Sequence, residues 1–513
     1  MAQGAYSYIA GISINTGLVA YVSKTGVSGA VGDLSRPFSS INSAIAALEA
    51  LTPTATNRAL VVVTDGGEYT QSVLLKNYID LHLGNCTIIS GGSNPCIYDT
   101  TGVDCKIFGK ANLINTTDNI ACITFNTNSK VELELGDIYT STSAGTAGIV
   151  LNGNIIGRVN SIFCDAATGS SNACIKLLDG TSSIKVGNLT TGNDTVSKLI
   201  YVSAGTLNLE VSNGIGSYTG SAGAVVVTSS GKLNIKNSYL ENTGSGTNAM
   251  IDVSNAELQI LNSHIESKGP SERTIETTGT SSFKVVGSIL KSALYAIYYD
   301  SSGKGVIQGT SIEGSILQTG AATELNVQAD VEGSVGNSAI SILAGNFNFT
   351  GTVKDSGVFS GNLVSFNTSG KVNFKGFVSN LTSAAGNVAI HFGNGMSGIA
   401  LIEGNFETDL TGSSLGVVKI DSVSGLVIFK NCRFDHLYSG GATVGIWFSQ
   451  LVAKHNIIFR NCEIKTNHAS SKSFNAVGAF TNVHCYQVKT NKDWDTANVL
   501  VFGEGVEVNS NMK

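Results

Sequence analysis

Ala121-Cys122-Ile123-Thr124-Phe125, Gly148-Ile149-Val150-Leu151, Cys174-Ile175-Lys176-Leu177, Leu199-Ile200-Tyr201-Val202, Val225-Val226-Val227, Met250-Ile251-Asp252-Val253 and Thr274-Ile275-Glu276-Thr277 are one short apolar segment written again and again. Taking Ile123, Ile149, Ile175, Ile200, Val226, Ile251 and Ile275 as centres, the steps are 26, 26, 25, 26, 25 and 24 residues. The series resumes at Ile297, Ile340, Val364, Ile390, Val418 and Ile446, with one step of 43 that is long enough to hide a rung. Self-similarity at a period in the twenties is the signature of a solenoid.

A second ladder runs beside the first. Residues 231–241 (Gly-Lys-Leu-Asn-Ile-Lys-Asn-Ser-Tyr-Leu-Glu) align without gaps on residues 256–266 and then on 281–291. Phe347-Asn348-Phe349-Thr350-Gly351 aligns on Val372-Asn373-Phe374-Lys375-Gly376. Farther on the step widens to 30, as Ile428 to Phe434 becomes Ile458 to Ile464. Each repeat therefore holds two alternating apolar/polar strands with Gly, Asn and Ser between them. Strands this short do not make a sandwich, and no helical period accompanies them. If each repeat makes one full coil, every strand pairs with its equivalent one coil away at about 4.8 Å, and the inward Ile and Val form a continuous core. The expected fold is all-β, a right-handed parallel β-helix.

Composition agrees. Gly stands at 60 of 513 residues and Pro at 4, as expected where tight corners need positive φ and ladder N–H groups must be kept. A net charge of −6 offers no basic stripe for nucleic acid. No apolar run approaches the roughly 18 residues of a membrane span. Residues 1–22 lack a signal-peptide pattern, which with the odd number of cysteines fits synthesis in a reducing cytoplasm. Nine cysteines without a Cys-x-x-Cys pair argue against zinc, and Cys432 and Cys462, equivalent in successive repeats, read as stacked buried thiols rather than a disulfide. No metal or other cofactor is expected.

Four segments are expected. Residues 1–31 form an arm for attachment, or a capping strand. Residues 32–84 hold a capping helix and the first coils. In this helix Phe38, Ile41, Ile45 and Leu48 share one face and Ser39 or Ser40 is the N-cap. Residues 85–465 form the rod. Residues 466–513, where Phe474, Phe480, Trp494 and Phe502 lack the coil period, form a terminal cap or assembly segment.

The entry region carries a family resemblance. Gly32-Asp33, Pro37-Phe38-Ser39-Ser40-Ile41, the Val61-Val62-Val63 strand, Gly67-Glu68-Tyr69 and Leu81-His82-Leu83-Gly84 resemble the entry to right-handed β-helices of the pectin-lyase-like superfamily, in the style of bacteriophage tailspikes and fibres. That resemblance implies a structural and adhesive virion component, a fibre, spike or head appendage. It would assemble as a homotrimer, be held to other virion proteins by its arm, and touch host-surface polysaccharide. The alternative it implies is a polysaccharide depolymerase, a glycoside hydrolase or lyase.

The enzymatic candidates lie on the outward position of the first ladder, which reads Lys176, Tyr201, Val227, Asp252, Glu276 and Tyr298. Asp252 and Glu276 would be neighbours across one coil step, near the separation used by a retaining glycosidase, with Tyr201 and Tyr298 as flanking sugar-stacking rings. A solvated β-helix face carries such acids in any case. Glu241, Glu266 and Lys291 on successive repeats read as simple charge relief. No compact Asp cluster of the calcium-dependent lyase kind falls within the rod, the one Asp-x-Asp being Asp493-Trp494-Asp495 in the terminal segment, and the seven histidines form no cluster visible in sequence.

Overall fold

The computed structural model describes residues 18–26, 32–142, 147–166, 173–192, 198–217, 223–244, 249–269, 273–320, 324–333, 338–355, 362–380, 388–409, 416–421, 423–437, 444–448, 456–467, 471–476, 481–493 and 499–508. It is an all-β parallel solenoid divided into two compact units, Met1–Asn248 with Ala256–Gln259, and Ala249–Asn255 with Ile260–Lys513.

In the first unit the ladder runs Val73, Ile97, Ile123, Ile149, Ile175, Ile200, Val225, each paired in parallel with the next. Every one of these side chains is fully buried. Each contributes roughly 1.5–3 kcal/mol on burial, so the core is a sum of small equal terms. The rung centre is Val225 and not Val226. Tyr201 pairs with Val226 and Val202 with Val227, so Val226 takes the outward place expected for Val227.

The second unit repeats the construction with Ile251, Ile275, Ile297, Ile316, Ile340, Val364, Ile390, Val418, Ile446 and Phe474. Ile316 is the rung concealed in the 43-residue step. Beside this ladder the core turns aromatic. Phe349 stacks on Phe374 and Phe429 on Phe459, both with ring centroids 4.7 Å apart. Rings one coil apart meet at this distance because the coil rise and the offset-stacking distance nearly coincide.

The corners are fixed by a repeated pair. Asn237, Asn262, Asn431 and Asn461 have φ of 48°, 49°, 55° and 52°, with Gly287 and Gly309 in the same role. The residue that follows folds its side chain back: Ser238 Oγ donates to Lys236 O at 2.7 Å, Ser263 Oγ to Leu261 O at 2.8 Å, and Ser288 Oγ to Val286 O at 2.9 Å. Cys432 and Cys462 occupy this place in the late coils, their thiols 3.4 and 3.3 Å from Lys430 O and Arg460 O. All nine cysteines are buried and free.

At the N-terminal end Val19–Val22 is a parallel strand on Ala59–Val63, so this part of the expected arm belongs to the sheet; residues 1–17 and 27–31 lie outside the described residues. The helix Ile41–Glu49 is capped by Ser40, whose side chain accepts from the Ser43 N–H, and it buries Ile41, Ala44, Ile45 and Leu48. It packs against Val19–Val22 and Ala59–Val63. Phe38 lies before the helix and bridges to Val22 instead of sharing the helical face. At the other end the pairing does not stop at residue 465. Lys472–Ala476 pairs with Val444–Phe448, Thr481–Thr490 with Asn456–Thr466, and Val499–Glu504 with Thr481–Thr490. Coil-to-coil steps here differ enough from 25 to hide the period. Phe480 and Trp494 fall outside the described residues.

Candidate functional site

In a parallel β-helix the residues one place from each inward rung are presented outward, one above another. In the second unit this outward column reads Asp252, Glu276, Tyr298, Leu317, Ser341, Ser365, His391, Lys419, Trp447 and Asn475. It is the column that carries the sequence candidates, and it runs on past them.

Asp252 and Glu276 are register neighbours, and Tyr298 follows Glu276. Arg273, three residues before Glu276, enters between them. Its Nη1 lies 2.5 Å from Glu276 Oε1, and its guanidinium carbon lies 3.7 Å from the centre of the Tyr298 ring. Tyr295 meets Tyr298 edge to face, with centroids 6.1 Å apart. The Glu276 carboxylate is therefore neutralised, and one face of Tyr298 is occupied by a cation. Tyr201 stands in the first unit, paired with Lys176, whose ammonium lies 5.6 Å from the ring centre.

A second feature lies on the neighbouring strands of the second unit. Glu266, Lys291, Glu313, Glu332 and Lys354 are successive register partners. Glu266, Lys291, Glu313 and Glu332 line a groove of about 430 Å³ together with Ser267, Ser292, Gly314 and Gly333. Lys291 Nζ is 3.1 Å from Glu313 Oε2, and this hydrogen bond, with the charges of Glu313 and Glu266, raises the Lys291 pKa. The charge relief read between Glu266 and Lys291 thus extends to Glu313. The adjacent Glu313–Glu332 step was not legible because the intervening rung, Ile316, was hidden.

Farther along the outward column three side chains meet that sequence inspection left scattered. His391 Nε2 is 2.7 Å from Asp421 Oδ2, and His391 Nδ1 is 3.4 Å from Ser365 Oγ. Asp421 Oδ1 is also 3.4 Å from Lys419 Nζ. The His391 and Asp421 side chains are 16% and 12% exposed, covered enough to hold their geometry and open enough to be reached. An ionised carboxylate only accepts hydrogen bonds, so the neutral imidazole carries its proton on Nε2 and turns the Nδ1 lone pair toward the Ser365 hydroxyl. The signal for this grouping is the coil step itself: Ser365 to His391 is 26 residues, and Asp421 lies two residues beyond Lys419 on the next rung.

Among the described residues no group of three or more His, Cys, Asp or Glu is placed to hold a metal ion, and no helix is long and apolar enough to cross a membrane. No family model matches the chain, and no curated protein and no solved structure matches it.

Proposed function

We propose that the chain is a structural and adhesive component of a bacteriophage particle, a fibre, spike or head appendage of the pectin-lyase-like kind. It presents a β-helical surface to host-surface glycans. In this reading the N-terminal segment anchors it to other virion proteins, the helix Ile41–Glu49 covers the first coil, and the chain assembles as a parallel homotrimer after synthesis in the host cytoplasm. The observation that supports a non-catalytic surface is Arg273, which pairs with Glu276 and covers Tyr298. Ion pairs from one coil to the next, such as Lys106–Glu132, Lys185–Glu210 and Lys304–Glu324, occupy other outward charges in the same way. Light scattering on the eluting peak of a sizing column is the test. A mass three times 53.1 kDa is expected, and a clean monomer would remove the trimer from the proposal.

One observation favours a second reading, a polysaccharide depolymerase. Asp252 and Glu276 are in register one coil apart, about 4.8 Å along the ladder, close to the ~5–5.5 Å between carboxyl groups of a retaining glycosidase. It requires that host polysaccharide yield new reducing ends or unsaturated sugars, and that Asp252→Asn or Glu276→Gln abolish this without loss of fold. Intact polysaccharide after prolonged incubation rejects it.

A further inference from the structure

We propose that Ser365, His391 and Asp421 form a nucleophile, base and orienting acid that hydrolyse carboxylic esters, an activity independent of the adhesive role above and of the Asp252–Glu276 pair. The parts are in the required order. Asp421 fixes His391 through Nε2 at 2.7 Å, and the free Nδ1 lone pair faces the Ser365 hydroxyl at 3.4 Å. That second distance is long for a resting hydrogen bond and of the kind that tightens when substrate seats. Ser365 and His391 are held on adjacent parallel strands, Val364–Phe366 and Ile390–Phe392, whose neighbouring residues are fully buried, so the backbone that positions them is rigid. Lys419 gives Asp421 a second point of attachment.

The chemistry balances with water as the only co-reactant. Ser365 Oγ bonds to the ester carbonyl carbon while its proton passes to His391 Nδ1. The imidazolium so formed is stabilised by Asp421, which keeps its own charge. The carbon–alkoxy bond then breaks, and the leaving alcohol takes the proton from Nδ1. Water attacks the acyl-serine, again giving a proton to Nδ1, and the Oγ–carbon bond breaks to release the carboxylic acid while Oγ takes that proton back from Nδ1, which restores the Ser365 hydroxyl and the neutral His391. Asn367, just past the end of the Ser365 strand, accepts the Gly395 N–H on its Oδ1, which leaves its NH2 group to donate to the developing oxyanion. A single side-chain donor suits an ester, whose alkoxide leaves readily, better than an amide. The solvent-facing position suits an acyl group carried on the outside of a larger molecule.

The test uses the full-length protein. A fluorophosphonate probe is added and the adduct located by peptide mass spectrometry, and p-nitrophenyl acetate hydrolysis is followed in parallel. Ser365→Ala, His391→Gln, Asp421→Asn and Ser341→Ala are compared, with circular dichroism and melting to establish that each is folded. An adduct on Ser365 is expected in the wild type and in Ser341→Ala, the neighbouring serine of the same column, and not in His391→Gln. Ser365→Ala should lose the hydrolysis, and Asp421→Asn should lower kcat by up to ~10⁴-fold with KM little changed, as expected when the orienting acid is lost. Absence of the adduct from folded wild-type protein, an adduct that persists in His391→Gln, or hydrolysis by Ser365→Ala at the wild-type rate overturns the proposal.

Discussion

Glu276 sits in register between Asp252 and Tyr298, yet its carboxylate meets Arg273 at 2.5 Å while the guanidinium carbon lies 3.7 Å from the centre of the Tyr298 ring. If the pair is structural, Arg273→Ala and Glu276→Gln should each lower stability by about 1 kcal/mol. The double variant should then cost less than the sum, and urea unfolding of the four proteins measures the coupling. Additive losses would mean that the two side chains do not act together. A pH effect belongs to Asp65. Burial pushes its carboxyl up, but hydrogen bonds from Tyr69 Oη at 2.7 Å, the Lys24 N–H at 2.6 Å and Ser23 Oγ at 2.9 Å outweigh it, and the net pKa falls below the ordinary 3.8. A carboxylate held below its unfolded value stabilises the fold above that value, and the stabilisation is lost as pH falls through the lowered one. Acid unfolding monitored between pH 5 and pH 2 should therefore be less steep in Asp65→Asn than in the wild type. At this scale the sequence disclosed the Asp252–Glu276 juxtaposition, because both acids sit beside Ile rungs of regular spacing. It did not disclose Arg273, whose reach across to Tyr298 is a matter of side-chain rotamer and not of spacing. Asp421 escaped too, since it stands two places beyond the column that contains His391.

The corner is the element that repeats most faithfully, and its chemistry explains why Cys432 and Cys462 need not be cysteines. Each occupies the place where Ser238, Ser263 and Ser288 turn a hydroxyl back onto the carbonyl two residues earlier. Cys432→Ser should keep the fold with a melting temperature close to wild type. Asn431→Ala, by contrast, should cost about 1–2 kcal/mol because it forces a non-glycine, non-asparagine residue to φ near 55°. Comparable melting of the two variants would refute this account of the corner. A glycine column runs alongside it: Gly351, Gly376 and Gly404 are successive register partners. A Cβ on Gly404, at φ 134°, would come within 1.8 Å of Gly376 O. Gly404→Ala is expected to destabilise by about 2–5 kcal/mol, read from the urea midpoint. The strands themselves were legible wherever the coil kept its 25-residue length. They were lost where it contracted, from Ile297 to Ile316 in 19 residues and from Ile307 to Val327 in 20, because these ladders shift register, between Lys291 and Ile297 and between Gln308 and Thr310, and break the regular spacing. The slip at Val225-Val226-Val227 has a different cause: three identical side chains give no local sign of which one faces inward, and only the pairing of Tyr201 with Val226 settles it.

Over the molecule as a whole, two units obey one rule, with a parallel ladder whose inward residues are fully buried and whose outward residues are tied coil to coil. The rule extends past residue 465, where the sequence had lost it, since Phe474 takes the inward place that Ile and Val hold elsewhere. It also decides where function can lie, because chemistry on such a scaffold must be assembled from side chains about one coil apart, as Ser365 and His391 are. The most direct measurement is electron paramagnetic resonance distances between nitroxides on one outward column of the second unit, Gln308 paired in turn with Thr350, Lys375 and Glu403. These positions are linked through Gln328 by consecutive register pairs. Distances of about 10, 14 and 19 Å are expected, rising by one coil step of ~4.8 Å each time. Distances that fail to rise in that order, or a Gln308–Glu403 separation far beyond four coil steps, would contradict the stacked-coil architecture and every site inferred from it.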